Sequence, residues 1–275
     1  MTASTITTTG SFEPVKKSKL GWAISDTLAV ANRNLITLRR VPQLLIFSTV
    51  QPVIFVLLFR YVFGGAIPIP GVEYVDYLMP GIFVQTVTFG AVNTGVGLAD
   101  DLSKGFVERF RSLPMARSAV LAGRTVADLC RDTLVVLLML VVGILVGFRI
   151  HTNVAALVLA LLILLLFAFS LAWVFAMIGL GASNGESAQA ASFPIVAVLV
   201  FASPAFVPVS GMPTWLQGFA DYQPVGAVVN AVRALCLGGS FGDETAKWVA
   251  LSILWSIGII AVFAPLAVAK YRKAA

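Results

Sequence analysis

Apolar residues gather along this chain in runs of about twenty, parted by short polar breaks, and that alternation predicts a set of membrane-crossing helices. The runs fall at about 44–63, 78–98, 126–148, 154–178, 190–209 and 248–268, which makes six spans. Helices are the only reasonable choice, because a backbone in lipid must satisfy its own hydrogen bonds and no alternating barrel pattern occurs. Pro52, Pro80, Pro194 and Pro204 fall in or at the ends of these runs and are expected to bend them. Ahead of the first run the period changes. Leu20, Ile24, Leu28, Ala31, Leu35 and Leu38 form a helical stripe over 20–40, with Asp26, Asn32, Arg33 and Arg39 off it. That helix is too polar to cross a membrane and suits its surface, either as an elbow bearing on the first span or as a plain anchor. Residues 1–19, rich in Thr and Ser and then basic, read as a disordered cytoplasmic tail, and 20–275 as a single transmembrane domain.

Three breaks between runs stand out. In the island from Asp100 to Arg124, Leu102, Phe106, Phe110 and Leu113 share one helical face while Lys104, Glu108 and Arg111 lie off it, and Pro114 stops the helix. A helix of this kind between two spans either lies in the lipid interface or docks onto a cytoplasmic surface, and we read 100–117 as docking. From Gly179 to Gln189 runs a tight turn with one acid, Glu186, read either as a partner contact or as a plain connection. The third break, Phe206 to Gly239, is too apolar for an exposed loop and too broken by Pro208, Gly211, Pro213 and Pro224 for one crossing. Trp215, Phe219 and Tyr222 share one helical face there, and Val225, Val228, Val229 and Val232 another. Two short helices over 210–237 that enter the outer leaflet and return account for both.

Composition agrees with an all-α membrane protein: 59% of the 275 residues are hydrophobic, only 12% are charged, and mean hydropathy is +0.94. The net charge of +6 would suggest nucleic acid in a soluble chain, but here the charges flank apolar runs and read as orientation. With the amino terminus inside, 15 of the 19 Lys and Arg fall on the cytoplasmic side, and only Arg60, Arg149, Arg233 and Lys247 fall outside. Both termini are therefore expected in the cytoplasm and the chain in the cell membrane. No cleavable signal peptide is visible, the first apolar run beginning more than forty residues in.

Reaction chemistry is sparse. The single histidine, His151, sits in a short outer turn and is expected to be solvated. No GxxxxGK[ST] phosphate loop, HExxH zinc pattern or GxSxG elbow occurs, so no catalytic residue, metal site or cofactor is assigned to this chain. Cys130 and Cys236 are expected near opposite membrane faces, which gives no disulfide. Asp128, Arg131 and Asp132 lie near the cytoplasmic start of the third span, and Arg60 snorkels outward from the first. An ion-coupled carrier needs a carboxylate near the bilayer midplane, and none is visible.

The six-span plan with its elbow, the run ERFRSLPMARSAVLAGR at 108–124 and the run FVPVSGMPTWLQGFADYQPVGAVVNAVRAL at 206–235 resemble the permease subunit of type-2 ABC exporters. The resemblance runs from about residue 20 to the end and is strongest to the daunorubicin-resistance type of actinobacterial drug and lipid exporters. It implies that two permeases, alike or different, pair in the membrane above two copies of a separate ATPase that holds ATP and Mg. It also implies that Phe106, Glu108, Arg109, Phe110, Arg111, Leu113, Pro114 and Met115 belong to a coupling helix seated in a cleft of that ATPase, with Glu186 as a second contact. The two outer helices would then close the route at the extracellular side, with Met212, Pro213, Trp215, Phe219 and Tyr222 at the gate. The implied function is ATP-driven export of a hydrophobic or amphipathic substrate, a drug, an antibiotic or a lipid. Polar residues within the spans, Gln51, Gln85, Thr86, Thr88, Asn93 and Thr94, then either line the substrate path or bond between helices. Export of a polysaccharide or glycolipid precursor, an ion-coupled drug carrier and a non-transporting membrane protein remain as alternatives.

Overall fold

Long apolar runs satisfy their backbones internally, and each of the six is helical in the computed structural model, which describes residues 43–67, 69–105, 117–241 and 243–274. Helix α1 (Gln43–Leu58) passes into a π-helical turn (Phe59–Phe63) and is followed by α2 (Tyr74–Ser103), α3 (Arg117–Val146) and α4 (Val154–Gly179). Then come α5 (Gly185–Phe201), α6 (Thr214–Tyr222), α7 (Pro224–Leu237) and α8 (Thr245–Ala274). Among the described residues there is no strand. Four helices, α2, α3, α4 and α8, are long and apolar enough to cross a membrane, and Thr49–Phe63, Gly185–Phe201 and Pro224–Leu237 are shorter apolar helices. The tail at 1–19 and the elbow at 20–40 lie outside the described residues.

Local chemistry sets the helix ends. Asn153 caps α4 by accepting from the Ala156 amide at 2.8 Å. Asn184 and Ser187 form a reciprocal capping box at the start of α5, so the turn expected at 179–189 shrinks to 180–184. Pro224 opens α7 at its first turn, where its missing N–H leaves no intrahelical bond unmade. Pro52, Pro80 and Pro194 are carried inside α1, α2 and α5. The fifth run ends earlier than the expected 209: α5 stops at Phe201, and Pro204 lies in the turns that follow.

Helix α2 is the centre of the bundle. Of its most apolar window 72% is buried, against 11% for α8, and it packs on α3, α4, α5 and α7 while α8 leans on α4 and α7. Leu78, Met79 and Ile82 of α2 meet Phe167 and Phe175 of α4 and Val228 and Val229 of α7 in one buried core. Lipid is as apolar as these side chains, so the cohesion comes from close packing rather than from expelled water. Helices α2 and α4 approach closely through glycine. A Cβ on Gly95 would sit 2.3 Å from the Phe175 carbonyl oxygen, and one on Gly179 would sit 2.2 Å from that of Gly95. Only hydrogen fits at either position.

Three expectations change. Leu102 lies in the last turn of α2, which ends at Ser103, and Gly105 takes φ +69°, a left-handed conformation that stops the helix before residue 106. His151 is half-exposed rather than free in solvent, its Nε2 lying 2.9 Å from Oδ2 of the buried Asp76, while the Arg149 amide donates to the other Asp76 oxygen at 2.7 Å. Arg233, counted outside, is buried in α7.

Candidate functional site

Along α2, Gln85, Phe89, Asn93, Val96 and Asp100 fall at steps of four, four, three and four, a single face about 22 Å long. That face lines a cavity of about 570 Å³. Gln51 and Pro52 of α1, Gln189 and Phe193 of α5, and Val135 of α3 supply other parts of its wall, and the Phe89 and Phe193 rings stand 6.1 Å apart. Arg124, Arg131 and Asp132 complete it from α3.

The α3 wall is ionic. Arg131 reaches Asp128 Oδ1 at 3.2 Å and Asp132 Oδ1 at 3.0 Å, and donates to the Gly90 carbonyl at 2.9 Å. Thr94 donates to the other Asp128 oxygen at 2.6 Å. Nearer the end of α2, Arg124 pairs with Asp101, and Asp100 accepts from the Gly185 amide at 2.9 Å. Adjacent acids at the end of α2 thus hold two different helices, α5 through Asp100 and α3 through Asp101. Gln85 is 1% exposed, and its Oε1 has no hydrogen-bond partner among the described residues.

The span residues named from the sequence divide. Gln51, Gln85, Thr86 and Asn93 line the cavity. Thr88 and Thr94 do not: Thr88 donates back to the Val84 carbonyl at 2.6 Å, and Thr94 is spent on Asp128. Glu186 is exposed in the first turn of α5, one residue from the Gly185 amide that Asp100 holds, so it stands beside the start of the expected coupling segment. Phe106, Glu108, Arg109, Phe110, Arg111, Leu113, Pro114 and Met115 lie outside the described residues.

Over 206–239 the two short helices are present and their faces are as read: α6 exposes Trp215, Phe219 and Tyr222, and α7 buries Val225, Val228, Val229 and Val232. Pro213 precedes α6, and the carbonyl of half-buried Met212 accepts from Gln217 at 2.9 Å. Tyr222 is held on α8, where its carbonyl accepts from Trp255 Nε1 at 2.9 Å and its ring lies 5.8 Å from that of Trp248. None of Met212, Pro213, Trp215, Phe219 and Tyr222 is among the residues that line the cavity.

Asp132, read from the sequence as near the start of the third span, is carried within an apolar helix. It lies nine residues into the apolar segment Gly123–Val146, about 14 Å along the helix, and is 5% exposed. The spacing of Asp128, Arg131, Asp132 and Val135 on one side of α3 is the signal that points to it.

A family model described as ABC-2 type transporter matches residues 25–237, from the elbow stripe to the last residue of α7. The chain belongs to that family. This ABC-2 chain is 37% identical over 252 residues to the daunorubicin resistance ABC transporter permease protein DrrB1 of Streptomyces coeruleorubidus, covering 91% of its own length and 87% of the relative's. It is 26% identical over 259 residues to the "Probable doxorubicin resistance ABC transporter permease protein DrrC" of Mycobacterium tuberculosis, covering 91% and 90%. It is also 27% identical over 193 residues to that organism's doxorubicin resistance permease DrrB, covering 69% and 66%. With its several apolar helices, the ABC-2 permease is a multi-pass membrane protein.

Proposed function

We propose that this chain is the membrane-spanning subunit of an ATP-driven exporter, moving a hydrophobic or amphipathic substrate, a drug, an antibiotic or a lipid, out of the cell. A separate ATPase in two copies holds ATP and Mg and supplies the energy, and a second permease, alike or different, completes the membrane pair. The observation that carries this reading is the 37% identity, over 91% of the chain, to a permease whose name carries daunorubicin resistance. The topology that goes with it has six spans, both termini in the cytoplasm, a surface elbow at 20–40 and an outer re-entrant pair formed by α6 and α7.

In this reading the segment around Phe106 to Met115 is the coupling element and the cavity is the substrate path. Motion of the coupling segment enters the membrane at Asp100 and Asp101, which grip α5 and α3 on two sides of that cavity. Glu186 is then a second ATPase contact, and Met212, Pro213, Trp215, Phe219 and Tyr222 form the outer closure. The test is co-purification with the ATPase encoded beside the permease, with ATP hydrolysis followed, for wild type and for Phe110→Ala combined with Leu113→Asp. Loss of the complex and of substrate-stimulated hydrolysis in a variant that still folds and inserts is the expected result. An unchanged complex would place the island on the membrane and remove the coupling role.

A further inference from the structure

Helix α2 is held to its two neighbours across the cavity in different ways. Against α3 the contacts form a ladder. Arg124 pairs with Asp101, Thr94 donates to Asp128 at 2.6 Å, Arg131 donates to the Gly90 carbonyl at 2.9 Å, and a Cβ on Gly143 would run into Met79. The partners step down α2 as they step up α3, an antiparallel register kept from residue 101 to residue 79, about 33 Å. Bolted at four levels, α2 and α3 turn only as one body.

Against α5 the polar contacts lie only at the two ends. At the end of α5 the break at 202–207 is pinned from α2 and α7. Tyr74 Oη donates to the Phe206 carbonyl at 2.9 Å, and Tyr77 Oη and Arg233 donate to the Pro204 carbonyl at 3.1 and 2.7 Å. A Cβ on Gly81 would overlap the Ala205 carbonyl, so two backbones touch there. At the start of α5, among the described residues, a single polar contact reaches α2, the bond from the Gly185 amide to Asp100 at 2.9 Å. Between these ends α5 buries the small side chains of Ala188 and Ser192, and the Ser192 hydroxyl donates to its own helix at 2.7 Å. One end is thus fixed by several bonds and the other is held by one. Resting on the reading of the cavity as the substrate path, we propose that α5 is its moving wall, with the 202–207 break as pivot and Asp100 as the positioning residue whose bond to Gly185 holds the wall shut. That bond sits in the last turn of α2, the turn nearest in sequence to the coupling segment. The turn at 180–184 tethers the start of α5 to α4 and bounds the swing. Residue 185 is glycine because the Asp100 carboxylate occupies the place of its Cβ.

The test is a pair of spin-label distances, read by double electron–electron resonance on the full-length permease in lipid discs, with labelled chains diluted by unlabelled ones. One distance joins the native Cys130, exposed on α3, to Ala190→Cys on the exposed side of the second turn of α5, in a Cys236→Ala background. The other joins Ile144→Cys near the last turn of α3 to Val207→Cys beside the pivot, both exposed positions, with Cys130→Ser and Cys236→Ala. Asp100→Ala is expected to lengthen the first distance by at least about 4 Å, which a lever of about 20 Å from residue 190 to the break gives on turning through about 11°. The second distance stays as in wild type. Gly185→Ala is expected to give the same shift with every charge in place, and Asp100→Asn, which keeps a carbonyl oxygen for the amide, to match wild type. An unchanged first distance in either Ala variant that folds, or a second distance that lengthens along with the first, would overturn the proposal. No ATPase or nucleotide is present, so this result is independent of whether the permease assembles with its ATPase.

Discussion

Arg233 is a charge taken out of water with no carboxylate within ion-pair distance among the described residues. Its guanidinium instead donates to the Tyr77 carbonyl at 3.2 Å and the Pro204 carbonyl at 2.7 Å, and lies 3.6 Å from the centre of the Tyr77 ring. Asn230 accepts from it at 3.3 Å and donates in turn to Asp221 at 3.2 Å, which relays a distant negative charge. One side chain thus ties α7 to the first turn of α2 and to the turns after α5, where the break at 202–207 leaves carbonyls without helical partners. Arg233→Met takes a charged donor from the Tyr77 carbonyl of α2 and from the Pro204 carbonyl, which keeps only Tyr77 Oη at 3.1 Å, and is expected to cost about 1.5–3 kcal/mol, read as a lowered unfolding midpoint in detergent. Arg233→Lys recovers only part, since a point ammonium cannot span both oxygens. A Met variant as stable as wild type would mean that the carbonyls find other partners. The charge tally along the sequence counts sign and rough depth and so does not reveal that Arg233 is buried, with carbonyls rather than a carboxylate as its partners.

At the scale of the elements, the contact between α2 and α4 rests on Gly95 and Gly179, whose missing Cβ atoms let two backbones touch. Gly95→Ala pushes a methyl group onto the Phe175 carbonyl and is expected to cost about 1–3 kcal/mol. Gly258 in α8 is the control, because a Cβ there meets nothing within 4 Å. Gly258→Ala is expected to leave stability unchanged or to raise it by up to about 1 kcal/mol through helix propensity. Equal thermal shifts for the two variants would show that the interface tolerates separation. The helices themselves are legible in advance, since apolar run length and the caps at Asn153 and Asn184 are local. The split of the outer segment into α6 and α7 is legible too, from Pro213, Pro224 and the two faces between them. The end of α2 is not: the four-residue spacing from Leu102 to Phe106 looks continuous, and the left-handed turn at Gly105 interrupts it.

For the whole molecule the prediction concerns orientation. In a Cys130→Ser, Cys236→Ala background, single cysteines replace Ser4, Gly218 on the exposed side of α6, or Ala275. A membrane-impermeant maleimide is expected to label the Gly218 position in intact cells, and the two terminal positions only after permeabilisation. The reverse pattern would turn the protein over and, with it, the direction of transport. Membrane class, helix number to within the short segments, and family membership follow from the sequence alone, because backbone satisfaction in lipid, hydropathy and charge asymmetry are each summed along the chain. Only the tertiary structure decided which polar groups meet. Asp76 and His151 are 75 residues apart, Gly90 and Arg131 are 41 apart, and Tyr77 and Arg233 are 156 apart. Each pair exists because α2 stands at the centre and the helices around it turn particular faces inward, and no spacing within a single helix carries that information.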